Sequence, residues 1–369
     1  MDVRPLGNNV SILYSIACEC QGGSTLAGEM HGKKGQDTSL DSSFRWSRKL
    51  ATVRHAVNNN LHNSAVSSGV VTNAISVDVE DYFHTEAITR SITRDNWPQM
   101  PPRVENSTQR LFELFSRHGV RGTFFFLGWV AERYPNLVRE AIQLGHEIGC
   151  HSYWHLPVCS LRPGQFREDL LRGKKVIEDA GGRAVRGYRA PSFSMTAGTE
   201  WAMEILEQEG FAYDSSVHPI MHDMFDNRNA PRWPHRWGSR RFVEIPVTTT
   251  RLGSRNLPFC GGAYFRVFPY AYTKWAMRRL NERERRPAVF YLHPWEIDPD
   301  QPRVQANRRT TFRQYTGLKN TKKKLHRLLS DFPFAPLCEV FQSEMGVLEN
   351  PKSPAFLHRY QPEWNHYAK

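Results

Sequence analysis

"AISVDVEDYFH", Ala74 to His84, is the stretch on which the fold turns. Its first six residues, apolar or small but for Asp78, read as a buried strand. The strand then runs into Asp78, Glu80 and Asp81, three acids within four positions. A strand that ends in carboxylates asks what stands at the ends of the other strands.

Working outward, the same texture repeats. "TQRLFELFSRHG" has apolar residues at helical spacing and a glycine stop, and "GTFFFLG" is a second buried strand. "VAERYPNLVREAIQLG" reads as a helix, with Pro135 near its start or dividing it. "EIGCHS" is a strand, "GQFREDLLRGKKVIEDAGG" a helix, "AVRGYRAPSF" strand and loop, and "GTEWAMEILEQEG" a helix. "FVEIPVT" and "AVFYLHPWE" are later strands, separated by the helix "YAYTKWAMRRLNERER". Strands alternating with helices imply an α/β fold with a parallel sheet, and the number of units approaches that of a β/α barrel. In such barrels function gathers at the C-terminal ends of the strands.

Three domains are expected. Residues 1–72, rich in Ser, Asn, Gly and His without a sustained period, read as a disordered leader. Residues 73–298 form the barrel. Residues 299–369 form a basic C-terminal extension containing the helix "LKNTKKKLHRLLSDF". Between Gln301 and Ser330 there are nine Lys or Arg and no acid, in a chain of net charge +12. This points to an anionic surface such as a membrane or an acidic glycan, or to a solvated helix face. No recognisable nucleic-acid module is present, and no apolar run nears the ~18 residues of a membrane span.

The six cysteines form no C-x-x-C pair, which fits a reducing compartment. "VSILYSIAC", ending at Cys18, is short, broken by serines and preceded by little positive charge, and so is a poor signal peptide. The expected location is cytoplasmic, peripheral at the inner membrane, with export as the alternative.

The titratable residues fall at strand ends. Asp78, Glu80 and Asp81 close the first strand; His151 and His155 of "HSYWH" follow the third; Arg189, Asp214 and His293 end later ones. Taken singly, each has a plain structural reading. A lone carboxylate usually caps a helix or a turn, and a His pair is more often surface than ligand. Five such features at successive strand ends are much harder to assign to chance. Two imidazoles and a carboxylate form a facial set that suits Zn²⁺ and leaves positions open. A carboxylate off the metal can act as general base, and a histidine opposite it can protonate a leaving amine. Arg189 and Asp214 would orient that pair.

At these residues the chain resembles the NodB-like polysaccharide deacetylases, carbohydrate esterase family 4, from about Asn73 to Glu296. More closely, it looks like the subgroup associated with exosortase and PEP-CTERM exopolysaccharide loci. "TNAISVDVEDYFH", "YRAPSFS", "YDSSVHPIMHD", "GGAYFRVFPY" and "FRQYTGLKNTKKKLHRLL" carry the resemblance. It implies a distorted (β/α) barrel of about seven strands. It also implies metal-dependent N-deacetylation of N-acetylhexosamine units in a polysaccharide or lipid-linked oligosaccharide, with Zn²⁺ the expected metal and Co²⁺ or Ni²⁺ the alternatives.

By the same resemblance Asp78 is the base, His151 and His155 are metal ligands, Arg189 pairs with the base, His293 is the acid, and Asp214 orients His293. The family's first motif has adjacent aspartates, whereas here it reads Asp-Val-Glu-Asp. Strand alternation favours Glu80 as the third ligand, while a strand break after Val79 would favour Asp81. The tryptophan that follows the family's fourth-motif aspartate is missing near Val217. Pro191, Phe193, His222, Asp223, Leu292 and Trp295 are the candidate substrate contacts. His146 is read as structural. The rivals are an amidohydrolase or acetyl esterase acting on a smaller substrate, and a glycan-binding barrel without catalysis.

Overall fold

The computed structural model describes residues 69–346, apart from 87, 90, 222–224 and 238–241. The leader expected up to residue 72 therefore lies almost wholly outside the described residues.

The chain enters on β1 (Asn73–Val79), α1 (Val104–Arg117) and β2 (Thr123–Phe126). The single expected helix after β2 is two, α2 (Gly128–Arg133) and α3 (Pro135–Gln143). Pro135 opens the second, where its missing N–H costs nothing. β3 (Glu147–Cys150), α4 (Pro163–Gly181), β4 (Gly187–Tyr188), α5 (Glu200–Gln208) and β5 (Tyr213–Asp214) follow. Gly182 ends α4 in the left-handed conformation, at φ 65°. Next come β6 (His235–Arg236), β7 (Val243–Glu244) and a hairpin, β8 (Thr249–Leu252) and β9 (Arg255–Pro258). Then α6 (Gly262–Val267), α7 (Tyr270–Arg278) and β10 (Val289–Leu292) complete the sheet's path. The C-terminal part holds α8 (Arg308–Tyr315), α9 (Leu318–Asp331), β11 (Phe334–Ala335), α10 (Leu337–Val340) and α11 (Gln342–Gly346).

The main sheet has nine strands, ordered β10-β1-β2-β3-β4-β5-β7-β6, with β11 added to β1. All its pairings are parallel except β6 with β7. It curls as the distorted barrel expected from the sequence. The segment after β7 returns towards β10, where the Thr248 hydroxyl accepts from the Val289 N–H at 2.8 Å.

Alternation along β1 sorts its side chains. Ile75, Val77 and Val79 join the main apolar core with Leu111 and Phe115 of α1. Ala74 joins a smaller cluster with Phe125, Tyr213, Ile245 and Val289. Ser76 and Asp78 share a third contact, the buried guanidinium of Arg189.

The C-terminal segment is built into the same compact unit. Arg266 of α6, almost fully buried, donates to the carbonyls of Arg313, Gln314 and Thr316. Lys324 of α9 donates to the carbonyls of Phe265, Arg266 and Phe268, satisfying the last turn of α6. Among the described residues no helix is long and apolar enough to cross a membrane.

Candidate active site

The site grows from the C-terminal ends of β1, β3, β4 and β10. At β1 the strand stops at Val79, and the Glu80 N–H turns back to the Asp78 carbonyl at 3.0 Å. Glu80 therefore reaches the centre through a tight turn rather than by strand alternation. Asp81 leaves in the other direction. Its carboxylate accepts from the N–H groups of Tyr82, Arg103 and Val104, at 2.9, 2.7 and 2.9 Å. It fixes the start of α1 and takes no place among the histidines. The metal-ligand alternative for Asp81 is corrected accordingly. Two of its three partners, Arg103 and Val104, stand more than twenty positions down the chain and are invisible to local spacing.

After β3 the chain forms a tight loop. Ser152 and His155 take left-handed backbone conformations, at φ 62° and 53°. Residues with a side chain adopt that region at a cost, and such strain persists where the surroundings over-determine it. Here Asp169 of α4 does so, accepting from the N–H groups of Tyr153 and Trp154, both at 2.9 Å. The loop brings His151 and His155 together, with ring centroids 5.1 Å apart.

Among the described residues, Glu80, His151 and His155 are the one acid-and-imidazole group whose ligand atoms all lie within 4.8 Å of one another. All three are buried. His151 Nδ1 lies 2.8 Å from the Arg189 carbonyl, and a carbonyl can only accept, so Nδ1 carries the proton and Nε2 keeps its lone pair. Burial pushes the His151 imidazole down to about 4, so it is neutral at neutral pH. His155 Nε2 stands 2.9 Å from Glu80 Oε2, yet that oxygen makes no hydrogen bond. Burial works to raise the Glu80 carboxyl, but the histidines around it outweigh burial and hold it far below the usual carboxylate range. An ionised carboxylate with an orphaned buried oxygen, beside two imidazoles, is a donor set that fits a divalent cation.

Asp78 stands beside this group. Its Oδ1 accepts from Arg189 Nη1 at 2.9 Å. Arg189 is fully buried and spends its other donors on Ser76 Oγ, the Ser215 carbonyl and Ser215 Oγ. That satisfaction lets a buried guanidinium exist without an orphaned charge.

His293 faces the same centre from β10. Its Nε2 lies 3.9 Å from Asp78 Oδ2 and 3.6 Å from Glu80 Oε1. Its Nδ1 is bonded at 2.9 Å to Glu296, not to Asp214. Burial disfavours the charged imidazole, but the hydrogen bond and charge of Glu296, with Glu80 and Asp78 behind them, hold it at about 9.

The expected role of Asp214 as the partner of His293 is therefore corrected. Asp214 is hydrogen-bonded to Ser216, and burial raises its carboxyl to about 6. Its neighbour Glu244 is pushed well above its ordinary value by burial and by the Asp214 charge, and accepts from the Val217 N–H at 2.9 Å. Glu296 escaped the sequence reading because "HPWE" was read as a strand end. The chain turns there into a short 3₁₀ segment, Pro294–Ile297, which returns residue i+3 to the histidine.

The expected substrate contacts divide. Trp295 is buried in the site wall, its Nε1 donating to Glu80 Oε1 at 3.2 Å and its ring stacked on His293 at 5.2 Å. Phe193 is half-buried and packs edge-on against Tyr291 at 4.7 Å. Pro191 is buried and Leu292 has no exposed surface. His222 and Asp223 lie outside the described residues. His146 sits in the core, stacked on Phe112 at 5.5 Å, as its structural reading requires.

Residues 85–211 match the polysaccharide deacetylase family model, and residues 215–342 match a domain of unknown function, DUF3473. A peptidoglycan deacetylase of Helicobacter pylori is 32% identical over 116 residues, covering 31% of this chain and 38% of that protein. A peptidoglycan-N-acetylglucosamine deacetylase of Bacillus cereus is 22% identical over 147 residues, covering 37% of this chain and 52% of that protein. The matched regions thus span about half or less of these relatives' length. Among solved structures, a Puue allantoinase superposes with a TM-score of 0.50 at 16% identity, covering 81% of this chain and 97% of that one, a likeness of fold.

Proposed function

From the premise that this chain carries a polysaccharide deacetylase domain, we propose that it removes acetyl groups from N-acetylhexosamine units of a glycan by metal-assisted hydrolysis. The observation that carries this reading is the juxtaposition of Glu80, His151 and His155 with Asp78 on one side and His293 on the other.

Glu80, His151 and His155 would hold a divalent cation, Zn²⁺ before Co²⁺ or Ni²⁺, which would supply Lewis acidity to the amide carbonyl and to the attacking water. The chain does the rest. Asp78, fixed by Arg189, takes the proton of the water as it attacks the acetamide carbon. His293, held by Glu296 through Nδ1, gives the proton of Nε2 to the departing sugar amine, and acetate leaves. Trp295 covers one face of His293 and binds Glu80, tying the acid to the ligand set.

Neither family match alone contains the site. Asp78 and Glu80 precede residue 85, while His293, Trp295 and Glu296 stand in the segment of unknown function. β10 of that segment pairs with β1, which precedes both matched regions, so the base and the acid would stand on neighbouring strands.

For the glycan we favour an exopolysaccharide or its lipid-linked precursor, acted on at the cytoplasmic membrane face. Support comes from the basic face of α9, where Lys319, Lys322, Lys323 and Arg327 are exposed. Sedimentation with anionic vesicles tests that location: binding lost in a Lys322→Glu/Lys323→Glu variant is expected, and no binding by the wild type would overturn it. Acetate release from N-acetylated oligosaccharides and polymers tests the reaction. Release from a small amide or an acetyl ester alone would replace it with the amidohydrolase or esterase reading.

A further inference from the structure

The domain of unknown function carries a feature that deacetylation at one sugar does not require. Gly261 and Gly262, at φ 101° and 54°, let the backbone lie directly on Tyr291. A Cβ on Gly261 would stand 1.8 Å from the Tyr291 carbonyl oxygen, so only glycine permits this approach. Tyr291 is two residues from His293, and their rings are 5.7 Å apart. The turn therefore launches α6 from the wall of the site.

From there the aromatic side chains run outward. Tyr264 lies 6.3 Å from His218, which in turn contacts Tyr291 and Phe193. Phe268 stacks on Tyr264 at 6.4 Å and 11°. Tyr272 follows at 5.2 Å, and Trp275 stacks on Tyr272 at 5.9 Å and 26°. Tyr264, Phe268 and Tyr272 are half-buried, and Trp275 is 43% exposed. A row of rings serving only as core would be enclosed. This one is half-buried along its length and ends on the exposed Trp275.

Its chemistry selects an occupant. The cations of α7 are engaged within the chain, Lys274 with Asp331 at 2.9 Å and Arg278 with Glu282 at 4.0 Å. The face thus offers ring surface rather than net charge. A pyranose presents apolar C–H groups on its faces and hydroxyls at its edges, and the negative face of an aromatic ring suits those C–H groups. An exposed aromatic patch continuous with a catalytic centre fits an extended ligand passing through that centre.

We propose that Tyr264, Phe268, Tyr272 and Trp275 form a binding track for further sugar units of a neutral, N-acetylated glycan whose reacting unit lies at His293. The inference rests on the glycan reading of the site. It gives the segment of unknown function a substrate-holding role in addition to the acid it contributes.

The test uses the full chain loaded with Zn²⁺ and titrates N,N′-diacetylchitobiose and hexa-N-acetylchitohexaose calorimetrically, with acetate release from the disaccharide measured in parallel. The wild type is expected to bind the hexaose more tightly than the disaccharide, and Trp275→Ala to reduce that ratio about tenfold. Trp275→Phe, which keeps a ring, is expected to restore most of it. Because Trp275 is 43% exposed and belongs to neither apolar cluster, its removal spares the core. Equal affinity of the wild type for both sugars, or an unchanged ratio in Trp275→Ala, overturns the track, and acetate release then shows whether the deacetylase reading stands. A Trp275-dependent ratio without any acetate release supports the track and overturns the deacetylase reading alone.

Discussion

The two ends of the sheet each bury a carboxylate, and they treat it in opposite ways. At the N-terminal ends of β2 and β3, Glu147 accepts from the Thr123 hydroxyl at 2.6 Å, the Tyr213 hydroxyl at 2.9 Å and the Cys338 N–H at 3.1 Å. Burial still raises it, but no oxygen lacks a donor. This end is closed by α10, whose first N–H, that of Leu337, donates to the Thr123 hydroxyl at 2.8 Å. At the C-terminal ends, Glu80 is buried more deeply than the half-buried Glu147, one oxygen has no hydrogen bond, and its neighbours are imidazoles. Burying a charge without full compensation is costly, and folded chains keep such groups where a ligand or a reaction uses them. The closed end holds the barrel together, and the open end keeps the uncompensated carboxylate on which the proposed reaction rests.

The largest expected departure concerns the proton-transfer pair. Asp78→Asn and His293→Ala should each lower acetate release by about 10²–10⁴-fold while the fold, followed by circular dichroism, is kept. Near wild-type turnover in either variant would remove that residue from its role.

A second set contrasts carboxylates directly. Glu80→Gln should weaken Zn²⁺ binding on the order of 100-fold, read by competition with a chromogenic chelator. Asp81→Ala, which strips the start of α1 of its acceptor, should bind the metal normally and lose roughly 2–3 kcal/mol of stability in denaturant. Glu147→Gln should likewise lower Tm and leave metal binding alone. Exchanged phenotypes between Glu80 and Asp81 would restore the ligand assignment that the geometry rejects.

Smaller is the effect expected of Glu296→Gln. It keeps the side chain's length and an acceptor oxygen, but removes the charge that supports the imidazolium. A fall in kcat of roughly 10-fold with little change in KM is the expected split. If Asp214→Asn gives that split and Glu296→Gln does not, the positioning role returns to Asp214.

The smallest effect is a pH slope. The Asp214 carboxyl rises from 3.8 unfolded to about 6 in the native chain. A carboxyl raised on folding binds its proton more tightly in the native state. Its stabilising contribution is fully present below about 3.8 and is lost as pH rises through about 6. Thermal melts from pH 4 to 7 should show the wild type losing stability relative to Asp214→Asn, and parallel curves would refute this.

Much of this was legible in the sequence because strand ends and loop glycines are local signals. "AISVDV" gave β1, and "HSYWH" and "YRAPSF" placed the histidine pair and Arg189 at the same edge. What escaped depends on contacts between distant segments or on the turn a short stretch adopts. Asp81 was ambiguous until Arg103 and Val104 were seen to take its oxygens. Glu296 was hidden by a 3₁₀ turn that brings i+3 back to His293. The C-terminal segment read as a loose basic extension, yet Lys324, one of its cations, is spent on the carbonyls of α6, and β11 adds to β1.

The most direct measurement is metal content by elemental mass spectrometry on the wild type and on a His151→Ala/His155→Ala double variant. The account predicts about one zinc-like ion per chain in the wild type, lost in the variant. A wild type that stays empty after dialysis against Zn²⁺, or a double variant that keeps its ion, would contradict it.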